Sequence, residues 1–205
     1  MAAVLDHLVV TAPDLARGVA HVAAALGVAM VPGGKHPVMG THNCLLRIGD
    51  GQYLEVIAVD PGAPLPARPR WFGLDTVPVR AALAHWVLRS DALEADIARC
   101  GDAPGGPLAL SRGDLAWRMA LRGDGRLSQG GLAPSLMQWD SGAHPAGRLP
   151  DCGLRLVRLV VSAPDPAALV AARPQVTGLD AVEIRRGPAG LTAEIAGPGG
   201  MCWLT

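Results

Sequence analysis

The chain has 205 residues, half of them apolar, and its 18 basic and 18 acidic residues cancel to a formal net charge of zero. This composition supports a sizeable core, and the absence of a charge excess argues against nucleic acid or a membrane surface as a general partner. No apolar run approaches the roughly 18 residues of a membrane span and no signal peptide is recognisable, so a cytoplasmic protein is expected.

Two distant stretches of the sequence resemble each other. His7 and Arg158 both precede the same Leu-Val-Val, and Asp14 and Asp165 follow it at the same distance. Shared composition alone does not explain this likeness. The repeat predicts that the chain is built from copies of one strand-then-helix unit.

The first unit opens with a predicted strand at 4–10, which is rich in β-branched and aliphatic residues. A helix is predicted over 13–26, because Asp14 suits its positive end and apolar residues then recur every three or four positions. Gly27 suits its end.

The rest of the first unit is predicted to be a loop and two strands. Glycine and proline punctuate 30–40, and strand character resumes at 43–48. From Tyr53 to Val59, every second residue falls on one face of a further strand. The first unit is therefore β-α-β-β-β.

The whole chain is predicted to contain three such modules. They cover 1–62, 80–141 and 154–205, and turn-rich connectors at 63–79 and 142–153 separate them. The second and third modules carry predicted helices at 91–100 and 164–172. The expected fold class is α+β, with repeated βαβββ modules forming curved mixed sheets, an open cup or barrel, and helices outside.

Four residues occupy equivalent strands of the first two modules. His7 and Glu55 lie in the first and last strands of one, and His85 and Gln138 lie in those of the other. If the two sheets close into one cup, these side chains converge as N and O donors that suit Zn, Ni, Fe or Mn. The alternative is that the histidines are hydrogen-bonded core residues and Glu55 faces solvent. Asp6 is not expected to serve His7, because neighbours on a strand point to opposite faces.

The sequence resembles the vicinal-oxygen-chelate superfamily over nearly all of its length. The repeated unit with Asp6-His7-Leu-Val-Val and Tyr53-Leu-Glu55 carries the resemblance. The stretch 40–46, with Gln138-Trp-Asp and His144-Pro, looks like its glyoxalase-like domain branch. The resemblance implies metal ligands at His7, Glu55, His85 and Gln138, and it leaves open whether the first module closes its cup with the second or the third. Arg158 at the His position prevents the third module from supplying an equivalent site.

Other residues are candidates for substrate binding. His42, Asn43 and His144 are placed for the mouth of the cup, and Trp86 for an apolar wall together with Trp71, Trp117 and Trp139. Each also has a structural interpretation, as a turn residue or as part of the core.

Two functions from different classes follow, beside a third possibility, that the last module makes the protein a structural or assembly module. One is a metal-assisted lyase, isomerase or dioxygenase acting on a small oxygenated molecule, in which Glu55 doubles as a base. The other is a metal-free protein that binds or sequesters a small molecule, in which the histidines are incidental. Both functions imply a small-molecule ligand. The sequence leaves open whether the protein is a monomer or a homodimer.

Overall fold

The computed structural model describes residues 3–100, 104–141, 144–171 and 180–205, and the sequence predictions for 142–143 and for Ala172 lie outside these ranges. The described residues form two sheets and three α-helices. The strands are β1 (Val4–Thr11), β2 (Val31–His36), β3 (Thr41–Gly49), β4 (Gln52–Val59), β5 (Ala82–Arg89), β6 (Gly106–Arg112), β7 (Leu115–Leu121), β8 (Ser135–Trp139), β9 (Arg155–Ala163), β10 (Val182–Arg186), β11 (Gly190–Gly197) and β12 (Gly200–Leu204). The helices are α1 (Leu15–Leu26), α2 (Leu93–Arg99) and α3 (Pro166–Ala171).

The large sheet joins the first two modules side by side. Its strand order is β2-β3-β4-β1-β5-β8-β7-β6, and the two halves meet where β1 runs antiparallel to β5. The sheet is mixed and curls into a half-barrel. The predicted α+β class with curved mixed sheets is confirmed. One cup therefore receives side chains from both modules.

The third module forms a separate sheet of four strands in the order β10-β9-β11-β12. In the first module, the opening strand pairs in parallel with the last strand, β4. In the third module, the opening strand β9 pairs in parallel with the second strand, β10. In the described residues, the order of strands in the sheet of the third module therefore differs from that of the first.

Helix α1 begins and ends where the sequence predicts. The Asp14 side chain accepts a hydrogen bond from the backbone N–H of Arg17 at 2.8 Å, which caps the first turn. Gly27 ends the helix in the left-handed conformation, with φ of 69°. Gly18 lets the helix approach β4 closely, because a Cβ at this position would overlap Val56. The apolar face of α1 is thus held against the sheet.

The main core lies on the outer face of the large sheet. Val22 of α1 packs there with Leu54 of β4 and Leu88 of β5, and the third module adds Leu159 and Ile195 to the same cluster. The third sheet and the helices therefore cover the convex face and leave the concave face for a site. Within the described ranges, no helix has the length and hydropathy that a membrane crossing requires.

Candidate functional site

The concave face of the large sheet holds a pocket. Strands from both halves of the sheet line it, and a short helical turn at 71–73 closes it. The polar lining residues are His7, His36, Asn43, Glu55 and Arg112, and the apolar and aromatic ones are Leu45, Tyr53, Trp71, Phe72, Trp117, Met119, Met137 and Trp139. A few polar groups inside an aromatic wall are typical of a small-molecule site.

His7 is held in the pocket by its neighbour Asp6. The distance from Asp6 Oδ1 to His7 Nδ1 is 2.7 Å, and Asp6 is fully buried. The sequence argument that Asp6 cannot reach His7 is wrong, because the pairing of β1 with β5 shifts between Leu5 and His7. This bulge breaks the regular alternation of side chains. With Nδ1–H donated to Asp6, the Nε2 atom of His7 faces the pocket.

Asp6 is at the centre of a buried hydrogen-bond network. Its Oδ2 atom accepts bonds from Trp139 Nε1 at 3.1 Å and from His144 Nε2 at 2.9 Å. Burial would raise the pKa of Asp6, but the hydrogen bonds from His144 and His7 outweigh it and hold this pKa well below its usual range. Asp6 is therefore an anion that orients the imidazole of His7.

Glu55 lies beside His7 in the pocket, on the neighbouring strand β4. Its Oε2 atom is 3.6 Å from His7 Nε2, and its Oε1 atom accepts a 2.5 Å hydrogen bond from Asn43 Nδ2. Only 6% of Glu55 is exposed. Asn43 thus fixes one carboxylate oxygen and leaves the other facing the imidazole. An imidazole and a carboxylate so placed can exchange protons with one bound molecule.

Arg112 brings a positive charge to the pocket from the far edge of the sheet. Its Nη1 atom donates to Asn43 Oδ1 and to His36 Nε2, each at 3.0 Å. His36 Nδ1 then donates to Thr41 Oγ1 at 3.1 Å. Burial, with the nearby Arg112 charge, lowers the pKa of His36 to about 3. His36 is therefore a neutral acceptor that positions Arg112.

His85 lies on the concave side but does not line the pocket. Its Nδ1 atom bonds the carbonyl of Gly131 at 3.0 Å, and its Nε2 atom accepts from the backbone N–H of Ser135 at 3.1 Å. The ring of Phe72 packs on it, with ring centroids 5.6 Å apart. Burial lowers the pKa of His85 to about 4. Both ring nitrogens are engaged, so the expectation of a ligand at His85 is corrected to a neutral core histidine.

Gln138 points away from the pocket. Its neighbours Met137 and Trp139 on β8 line the cavity, whereas its Oε1 atom accepts the backbone N–H of Leu93 at 3.1 Å, at the start of α2. Alternation along the strand places it on the outer face. Gln138 therefore caps a helix, and the four expected ligands are not brought together.

Three of the expected substrate-binding residues also lie outside the pocket. Trp86 is fully buried in the outer core and donates to the carbonyl of Leu132 at 2.8 Å. His42 lies on the outer surface beside α1. His144 stands behind the wall, with its ring edge-on to Tyr53. Only Asn43, of the four, lines the pocket.

The donors in the pocket do not fit a divalent ion. Within the described ranges, no group of three or more His, Cys, Asp or Glu side chains could hold a metal. His7 and Glu55 supply two donors, while the Asn43 oxygen is taken by Arg112, whose charge opposes a cation. Catalytic zinc sites use three protein ligands. The expected Zn, Ni, Fe or Mn ion is thus not confirmed.

Comparison with protein families agrees with this architecture. A family model described as glyoxalase-like domain matches residues 5–177. The chain therefore belongs to the glyoxalase-like domain family. The resemblance seen in its sequence is confirmed.

One solved structure shares the fold at low sequence identity, and another is similar over part of the chain. A hypothetical protein from Staphylococcus aureus is 12% identical, with 91% of this chain and 87% of that chain covered and a TM-score of 0.62. A variant of Streptomyces coelicolor methylmalonyl-CoA epimerase, in complex with 2-nitronate-propionyl-CoA, is 18% identical, with 70% and 100% covered and a TM-score of 0.46. No curated protein matches the chain.

Sequence reasoning missed two residues that shape the site. The contact of Asp6 with His7 depends on the bulge, and the bulge leaves no signature in the sequence. Arg112 comes from β6, at the opposite edge of the sheet from β2, where His36 lies. Only the closing of the cup brings these edges together, and the spacing along the chain gives no sign of it.

Proposed function

We propose that the protein is an acid–base enzyme, an isomerase or lyase that moves a proton on a small oxygenated molecule without a metal ion. The observation that carries this proposal is the pair His7 Nε2 and Glu55 Oε2, 3.6 Å apart inside an aromatic pocket. The protein thus keeps the reaction class expected from its sequence and dispenses with the ion.

Glu55 acts as the base. Its Oε2 atom removes a proton from the carbon next to a carbonyl group, while protonated His7 donates its Nε2–H to the carbonyl oxygen. The product of this step is an enediol or enol. Glu55 then returns its proton to the neighbouring carbon, while the now neutral His7 takes the proton of the adjacent hydroxyl, whose oxygen becomes the new carbonyl oxygen. Placed general acids and bases of this kind contribute on the order of 10²–10⁴ in rate.

The surrounding charges favour this step. The buried Asp6 carboxylate accepts from His7 Nδ1 and so directs Nε2 into the pocket. Arg112 supplies a fixed positive charge near the oxygen that gains electron density, and the aromatic walls exclude water. These features favour a substrate with adjacent oxygens, either neutral as in a hydroxy ketone or with one of them anionic as in a 2-oxo carboxylate.

A metal-free binding protein is the second candidate. The aromatic lining of the pocket, with Trp71, Trp117 and Trp139, favours it, since such walls hold a ligand without any chemistry. Both functions predict binding, but only the first predicts exchange of a carbon-bound proton with solvent. The homodimer and the cytoplasmic location stay predictions.

The test is solvent exchange observed by ¹H NMR. The protein in D₂O is incubated with a panel of small hydroxy ketones and 2-oxo carboxylates, and loss of the signal from the carbon next to the carbonyl is followed. We expect one class to exchange, and Glu55→Gln to slow it by about 10²-fold or more. Glu94→Gln, at an exposed glutamate of α2, is the matched control. Tight binding with no exchange would instead favour the binding protein.

A further inference from the structure

A second pocket lies on the other side of Trp71 and Phe72. These two rings line both pockets and form their common wall. Phe72 has a φ of 55°, in the left-handed region that non-glycine residues seldom adopt. Such backbone strain is found most often beside binding sites.

The second pocket is built by a loop after β7 that is fastened to the chain on both sides of Trp71. The backbone N–H of Gly73 donates to the carbonyl of Gly125 at 3.2 Å. Gly125 has a φ of 70°, and a Cβ there would lie 2.5 Å from the Arg70 carbonyl oxygen and 2.8 Å from Pro69 Cβ. Only glycine allows this approach, so the pocket has a defined shape.

Three arginines line this pocket, and none of the described residues that line it is acidic. Arg122 is paired with Asp124 through two bonds of 3.1 and 3.0 Å. The Nε atom of Arg68 is buried and, in the described part of the chain, has no hydrogen-bond partner. Arg126 is exposed at the rim. The Arg68 side chain as a whole is only half-buried and lines the pocket, so an anion bound there can pair with its guanidinium.

Apolar groups make up most of the remaining wall. Phe72, Leu121 and Leu127 line it together with Pro69 and Pro134. Inorganic anions gain nothing from such surfaces, whereas an aromatic or aliphatic body does. A guanidinium also matches the planar geometry of a carboxylate.

We propose that this pocket binds an organic anion, a carboxylate with an apolar body, whose charged group is held by Arg68 and Arg126. The inference does not rest on the acid–base function, because the site uses neither His7 nor Glu55. The two proposals can therefore fail separately.

The probe is benzoate, with benzamide as its uncharged counterpart and inorganic phosphate as the anion without an apolar body. Binding is measured by isothermal titration calorimetry on the full chain. We expect benzoate to bind most tightly of the three, and its Kd to rise about tenfold in Arg126→Gln and in Arg68→Gln, since each removes a charge-assisted bond. Arg126 is exposed, so R126Q keeps the fold even if R68Q does not.

Two further variants make the result decisive. Arg17→Gln, at an arginine of α1 that is 72% exposed, should leave the benzoate Kd unchanged. E55Q should also leave it unchanged, which places benzoate outside the first pocket. Equal affinity for benzamide or for phosphate would overturn the proposal. So would an unchanged Kd in both R126Q and R68Q, or a loss of binding in E55Q alone.

Discussion

Asp6 and His7 are adjacent on one strand, yet Asp6 Oδ1 lies 2.7 Å from His7 Nδ1. In a regular strand these side chains would point to opposite faces. The bulge between β1 and β5 makes the contact, because Asp6 has no partner on β5 while Leu5 pairs with Leu88 and His7 with Val87. The hydrogen bond between Asp6 and His7 therefore depends on an irregularity of the sheet.

Replacing the carboxylate tests this relationship. In Asp6→Asn, we expect the rate of solvent exchange to fall about 10- to 100-fold, the effect of losing one hydrogen bond to a charged group of roughly 1.5–3 kcal/mol. The KM should change little, because Asp6 is a positioning residue that does not line the pocket. The Nδ1 proton of His7, observed by NMR with ¹⁵N-labelled histidine, should lose its strongly hydrogen-bonded shift. An unchanged Nδ1 proton would show that Asp6 does not orient the ring.

Gln138 is predicted to affect the stability of the protein and not its reaction. Gln138→Ala removes the acceptor for the Leu93 N–H at the start of α2, so the free energy of unfolding should fall by about 1 kcal/mol. The rate of solvent exchange should stay unchanged, since the side chain points away from the pocket. Q138E keeps an acceptor oxygen and should retain the stability in denaturant unfolding. A large loss of exchange in Q138A with normal stability would return Gln138 to the site.

The buried side chain of His85 makes the free energy of unfolding depend on pH. Burial lowers the pKa of His85 to about 4, whereas a histidine in an unfolded chain titrates near 6.5. Below about pH 6.5 the unfolded chain binds a proton that the folded protein does not, so the stabilising contribution is complete above this pH and is lost as pH falls towards 4. The Tm measured by calorimetry should therefore fall between pH 7 and pH 5. His85→Gln should have a lower Tm but a shallower slope, and an equal slope would contradict the assignment.

The fold could be read from the sequence where local patterns decide it. The apolar stripe of α1 and the residues that begin and end it predicted the helix at 13–26, and Leu15–Leu26 is helical. Glu55 and Tyr53 were predicted to share one face of a strand, and both line the pocket. Period-two alternation is local, so one strand suffices to show it.

Only part of the site could be predicted from the sequence. The alternation of side chains along a strand defines two faces of the sheet, but it does not show which face is concave. His42 and Asn43 are adjacent, and only Asn43 reaches the pocket. The same one-residue difference separates Gln138 from Trp139. Long-range pairing decides these cases, as it does for the bulge at Asp6 and for the approach of Arg112 from β6.

The central claim is that His7 and Glu55 transfer a proton without a metal ion. The measurement that tests it most directly is the solvent-exchange rate of chelator-treated protein, with the metal content of the same sample determined by elemental analysis. We predict full exchange activity at far less than one metal ion per chain, no gain on adding Zn²⁺, Ni²⁺, Fe²⁺ or Mn²⁺, and loss of exchange in E55Q. Activity that disappears with the chelator and returns with one near-stoichiometric ion, but not in H7A or E55A, would contradict the account.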